Sequence, residues 1–186
     1  MNSRLPSREQ ALQFLRENQC PAKVVAHAKA VSKVAVETAK TCQKKGLKID
    51  VSLVEIGALL HDVGRSKTHT INHVVAGARI AKENGLPDSL VAIIERHVGG
   101  GITAVEAKEL GWPTSNYIPS TLEEKIVSYA DKLVETSERV PIELTIDRLR
   151  KEKLHAAAER VQKLHEEISR LIGENHDDVN ASNKDL

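Results

Sequence analysis

The sequence predicts an all-α fold, and three observations carry that expectation. Helix start and stop residues recur along most of the chain. Apolar residues fall three and four apart, the spacing that lines one face of a helix. Strand-like alternation is nearly absent. Apolar residues make up 40% of the 186 positions and aromatics only 2%, so the core is expected to be aliphatic and large enough for one domain.

The elements follow in order. Ser7 with Gln10 reads as a capping box opening a short helix near 8–18. Pro21 suits a helix start and Gly46 a stop, which bounds a long second helix. Ser52 with Glu55 reads as the cap of a third helix, apolar until Asp62. After a polar loop, a fourth helix is expected over roughly 72–84, ending at Gly85, and a fifth runs from Pro87 to about His97. Gly99-Gly100-Gly101 must be loop. Thr103 with Glu106 caps a short helix ending at Gly111. Thr121 with Glu124 opens another, expected to reach about Glu138 before Pro141 interrupts it. Leu149 to Ile172 is helical again, with Gly173 as terminator.

Composition removes several classes of function. The formal net charge is +1, so no global field steers polyanions to the chain, and few aromatics are present to stack single-stranded bases. The basic clusters "KTCQKKGLK" and "RLRKEK" read as solvated helix ends, and nucleic acid is not an expected partner. Cys20 and Cys42 match no disulfide, zinc or redox pattern. The first residues show no apolar signal core, and no run approaches the ~20 apolar residues that span a bilayer. A cytoplasmic protein without membrane contact is expected. The a/d-like run Leu154, Val161, Leu164, Ile168, Leu171 is read first as a helix covering its own core, and a homodimer is left open.

Polar residues on apolar faces point to chemistry. His27 aligns with Val24, Val31 and Val34, and His61 with Val54, Gly57 and Ala58. His73 aligns with Ala76, Gly77 and Ile80, His97 with Leu90, Ile93 and Ile94, and Asp131 with Val127 and Val134. His155, His165 and His176 fall on a charged helix or the chain end and read as surface residues. Each inward histidine alone fits a hydrogen-bonded core residue. Four imidazoles with Asp62 and Asp131 in one aliphatic interior do not, because each uncompensated charge costs several kcal/mol. One or two divalent cations offset that cost together. Adjacent His61 and Asp62 diverge by about 100° within a helix, so they can serve one cluster only at a helix end, which Val63-Gly64 supplies.

These residues carry a family resemblance. His27, "HD" at 61–62 and Asp131 in "SYADKLVE" resemble the H…HD…D signature of the HD-domain superfamily. "LLHDVGR" is similar to the HDIG subgroup, "NHVVAGARIA" to its His-x-x-x-Gly helix as in ribonuclease Y, and "IIERHVGG" to its next histidine segment. The resemblance spans roughly 21–136. It implies an α-helical metal-dependent phosphohydrolase with His27, His61, Asp62 and Asp131 on a first metal. His73 and His97 would complete a second, with Asp62 bridging. Residues 1–173 are then expected to form a single HD domain, with a C-terminal helical extension at 142–172 and a polar, disordered tail at 174–186. The HD-GYP sequence pattern is absent, "RHVGGGITAVEA" standing in its place, which argues against cyclic-di-GMP as substrate.

The expected function is hydrolysis of a phosphomonoester or phosphodiester, in a nucleotide or related small molecule, by a metal-activated hydroxide. Mixed nitrogen and oxygen ligation suits Mn, Fe, Co, Ni or Zn, with Mg also compatible. Asp62, His61 and Arg65 are the catalytic candidates. Arg65 is placed to hold a phosphate oxygen, since guanidinium matches that geometry, or else forms a surface ion pair. His69 and Lys67 read as loop residues. Gly99–Gly101 reads as a helix end, although it could also admit a substrate. The resemblance also admits a diiron oxygenase using the same ligands, or a non-catalytic module that senses a nucleotide or metal.

Overall fold

The computed structural model describes residues 4–173; the expected tail at 174–186, with His176, lies outside the described residues. Among the described residues the chain forms nine α-helices: α1 (Arg8–Glu17), α2 (Ala22–Lys44), α3 (Val51–Leu60), α4 (His73–Glu83), α5 (Asp88–Arg96), α6 (Ala104–Glu109), α7 (Leu122–Lys132), α8 (Ile142–Lys151) and α9 (His155–Ile172). Short 3-10 turns at Val63–Ser66 and Val98–Gly100 follow α3 and α5. The all-α expectation holds, with one small hairpin of β1 (Val134–Glu135) and β2 (Glu138–Arg139) added to it.

The capping boxes Ser7/Gln10 and Thr103/Glu106 form as read, and Thr121 caps α7 by accepting from the Glu124 N–H. The cap of α3 is different. Asp50, not Ser52, accepts from the Leu53 N–H at 2.9 Å, so the helix starts two residues earlier than Ser52 implied. Helix α7 stops at Lys132 instead of near Glu138. β-Branched Val134 and Thr136 and the approaching Pro141 disfavour further helix, and Thr136 turns the hairpin at φ +57°. The helix expected from Leu149 onward is broken at 152–154. There the Leu154 N–H donates to the Leu149 carbonyl and the Lys153 N–H to Arg150, with Lys153 at φ +62°. That is a Schellman turn with lysine where glycine is usual.

Helix α3 is the centre of the packing. Apart from exposed Ser52 and half-buried Glu55 it is apolar, the pattern of a helix buried on most sides. Val54 and Ala58 face one cluster with Val31, Val127, Val161 and Ile168, which ties α8 and α9 to α2 and α7. Ile56, Leu59 and Leu60 face another with Leu15, Leu90 and Ile94. Each fully buried leucine contributes about 1.5–3 kcal/mol. The consequence for function is positional: the helix that packs into both clusters ends in His61-Asp62. Beyond it, Gly64 lies against the first turns of α4. A Cβ on Gly64 would fall 1.9 Å from the His73 carbonyl oxygen and 2.5 Å from the Gly77 N, and one on Gly77 would meet the Gly64 N at 3.1 Å. The two glycines let the chain after Asp62 sit directly on the helix that begins with His73.

Both cysteines are free, and burial raises the Cys20 thiol to about 11. His165, read as a surface residue, is buried, with its Nδ1 2.9 Å from the Tyr129 hydroxyl. It shares the inward side of α9 with Val161, Leu164 and Ile168.

Candidate metal centre

Five helices deliver the six candidate residues to one place. His27 lies on α2, His61 just past the end of α3, Asp62 next to it, His73 at the first position of α4, His97 just past α5, and Asp131 in the last turn of α7. His61, Asp62, His73 and His97 are all at most 4% exposed. The expected inward faces are therefore correct for each, with His27 and Asp131 at the more open rim.

The imidazoles are oriented in one common way. Nδ1 of His61 donates to the Ala58 carbonyl at 2.7 Å, that of His73 to Thr70 at 2.7 Å, that of His97 to Ile94 at 2.9 Å, and that of His27 to Thr136 at 3.1 Å. A carbonyl only accepts, so each Nδ1 carries a proton and each ring turns its Nε2 inward, where the unprotonated nitrogen offers a lone pair. Backbone carbonyls fix metal-binding histidines in this manner. Three of the four bonds run from residue i to i−3, which a histidine at a helix terminus can make with its own chain.

The inward atoms then crowd one another. His73 Nε2 lies 3.1 Å from His97 Nε2. Asp62 Oδ1 is 3.1 Å from His73 Nε2 and 3.5 Å from His97 Nε2. Asp131 Oδ1 is 2.9 Å from His27 Nε2 and 3.4 Å from His61 Nε2. His61 Nε2 and Asp62 Oδ1 are buried without a hydrogen-bond partner. Lone pairs facing lone pairs at these distances need positive charge between them. Two sets have ligand atoms all within 4.8 Å of one another: His27, His61 and Asp131, and His61, Asp62 and His97. The donors present fit divalent cations, and their identity as nitrogen and carboxylate oxygen suits transition metals.

The outer oxygen of each carboxylate meets a cation of the chain. Arg65 Nε is 2.5 Å from Asp62 Oδ2, and Lys132 Nζ is 2.5 Å from Asp131 Oδ2. Burial opposes ionisation of both carboxyls, yet His61 and the other imidazoles hold Asp62, and Lys132 and the imidazoles hold Asp131, well below the usual carboxylate range. Burial pushes His97 down to about 4. His61 goes the other way: burial lowers it, but Asp62 and Asp131 outweigh that and raise it. Over the centre lies a depression of about 280 Å³ lined by Lys23, Val24, His27, Asp62, Arg65, His69 and Thr136. Arg65 thus belongs to the site's mouth and is not a remote surface ion pair.

Sequence reasoning missed two parts of this site. Lys132 directly follows Asp131, and its adjacency was the available signal. Thr136, whose carbonyl orients His27, sits in a hairpin that the helical reading of that segment concealed.

An all-α bundle closed around a buried histidine–carboxylate centre defines the class, and comparison with known proteins gives the family. The HD domain family matches residues 24–136, and the chain belongs to it. A tRNA (cytidine(56)-2'-O)-methyltransferase of Picrophilus torridus is 41% identical over 175 residues, 94% of this chain and 50% of that protein. An uncharacterized protein of Methanocaldococcus jannaschii is 47% identical over 166 residues, covering 88% of this chain and 98% of its own length. The chain therefore spans about half the length of the methyltransferase it matches. Among solved structures, the HD domain of the L. monocytogenes phosphodiesterase PgpH in complex with cyclic-di-AMP aligns over 90% of this chain and 97% of its own. Its TM-score is 0.54 and its identity 20%, a likeness of fold.

Proposed function

We propose that this chain is a metal-dependent phosphohydrolase of the HDIG type acting on a small nucleotide-like phosphate ester. The observation that carries the reading is the common orientation of four Nε2 lone pairs and two carboxylate oxygens toward one shared interior. His27, His61, Asp62 and Asp131 would hold one cation, and His73 and His97 a second, with Asp62 shared. Bound divalent cations supply Lewis acidity that makes water a usable nucleophile near neutral pH and offsets charge on phosphoryl oxygens.

The chain's own groups account for the rest. Arg65 pairs with Asp62 through Nε and carries further N–H groups, one of which lies 3.4 Å from the His69 carbonyl, so it both steadies the carboxylate and offers donors to a phosphate oxygen. Lys23 at the mouth adds positive charge for an anionic substrate. Buried residues of α3 and α5 wall the inner side of the centre. No helix among the described residues is long and apolar enough to cross a membrane.

The methyltransferase relative is about twice as long as the matched segment. Imidazoles and carboxylates in a buried set are equipment for cations and water, so we assign hydrolysis to this segment. That relative's name, for a reaction on tRNA, favours a nucleotide-derived substrate here. Helices α8 and α9 share the buried cluster of α2 and α7, which supports reading 1–173 as one domain.

With Mn²⁺ present, hydrolysis of at least one member of a panel of nucleoside phosphate mono- and diesters is expected, read as phosphate from a monoester or as a monoester product from a diester, and a chelator is expected to stop it. A fully metal-loaded sample that releases nothing from the whole panel rules the activity out.

A further inference from the structure

Beside the metal centre lies a second cavity of about 470 Å³, walled by α6, α8, α9 and the turn after α5. Its volume falls within the range of about 300–1,000 Å³ usual for small-molecule sites. We propose that it is the subsite for the nucleoside part of the substrate. The proposal rests on the phosphohydrolase reading above and names where the organic half of the ester goes.

The argument begins with how the cavity meets the centre. Three of its lining residues sit beside three of the candidate ligands in the chain: Val98 follows His97, Lys132 follows Asp131, and Ile71 is two residues before His73. Lys132 touches both regions, since it lines the cavity while its Nζ lies 2.5 Å from Asp131 Oδ2. Its backbone is held as well, because the Thr145 hydroxyl donates to the Lys132 carbonyl at 2.9 Å. A positive charge is thus fixed at the boundary, where an ester's phosphate and its organic group would part.

The remaining walls have the chemistry of a base site. Ile71, Val98, Ile102, Leu149 and Leu154 give apolar surface for a flat ring. The Glu109 carboxylate, on α6, is a hydrogen-bond acceptor for ring or exocyclic N–H groups. Arg148 and Arg160 are already engaged by Glu135 at 2.7 Å and Glu106 at 2.9 Å, so they do not make the cavity a polyanion channel. The glycine turn explains how α9 comes so near. Gly99, Gly100 and Gly101 all have positive φ, and a Cβ on Gly100 would be 3.0 Å from backbone atoms of Arg160 and Val161. Leu154 and Leu110, on the cavity lining, are among the large apolar side chains left exposed, as a covering ligand would require.

The test compares Ala157→Phe, which fills the cavity from α9, with Leu154→Ser, a milder change at an already half-exposed rim. Circular dichroism and melting establish that each variant folds. Binding of the four nucleoside 5′-monophosphates and of inorganic phosphate is measured by titration calorimetry with Mn²⁺, alongside turnover. The expected result is nucleotide affinity weakened about tenfold or more by Ala157→Phe and several-fold by Leu154→Ser, with phosphate affinity unchanged in both. If nucleotides are hydrolysed and both variants bind them as the wild type does, the subsite is wrong and the hydrolase reading stands. If the variants weaken binding but no nucleotide is ever hydrolysed, the subsite stands and the hydrolase reading falls. A wild type that binds no nucleotide, or a variant that changes only the oligomeric state, overturns the proposal.

Discussion

Replacing Asp62 with alanine is expected to lower metal-dependent phosphate release by at least about a thousandfold, as losses at groups acting in concert do. The expected loss follows from the residue's position. Oδ1 lies near both His73 and His97, and Oδ2 is paired with Arg65, so one side chain joins that histidine pair to the mouth of the site. Alanine leaves His73 and His97 facing each other with no anion to balance a cation. The helical signal is expected to survive, because α3 is anchored by Leu59 and Leu60 in the core and not by Asp62. Circular dichroism and inductively coupled plasma mass spectrometry on the same preparation check both halves: native helicity with depleted metal. A variant retaining both metal and turnover would remove Asp62 from the mechanism.

Gly64→Ala is expected to be the most damaging small substitution near the site. The new methyl would sit 1.9 Å from the His73 carbonyl oxygen and 2.5 Å from the Gly77 nitrogen, both backbone atoms that no rotamer change can move aside. Separating the 3-10 turn from α4 would drag His73 away from Asp62. A loss of about 3 kcal/mol or more is expected, read as a shift in the denaturant midpoint, together with reduced metal occupancy. Gly85, past the far end of α4, where a Cβ would meet nothing within 4 Å but φ is +66°, provides a contrast. Gly85→Ala is strained by its backbone only and should leave metal occupancy intact.

The centre was legible because its donors interrupt strongly apolar helical faces, and periodicity then specifies which way they point. His61 among Leu59 and Leu60, and His97 after Ile93 and Ile94, are such interruptions. Local geometry also helped, since a histidine at a helix end can bond its own i−3 carbonyl without help from the tertiary fold. Features set by nonlocal contact were hidden. The contact of Gly64 with Gly77 depends on two segments meeting, and Gly64 alone reads as a helix end while Gly77 alone reads as one more residue of a helix face. The turn at Lys153 uses a residue that seldom adopts positive φ, so nothing in the sequence marked the break between α8 and α9. His165 was misassigned because its helix is rich in charge, although its spacing from Val161, Leu164 and Ile168 placed it on the packed side.

Anomalous diffraction from a crystal grown with Mn²⁺ tests the central claim most directly. Strong peaks are expected in the space enclosed by Nε2 of His27, His61, His73 and His97 and the inner oxygens of Asp62 and Asp131. Well-ordered density for those side chains with no peak among them, at saturating metal, would contradict it.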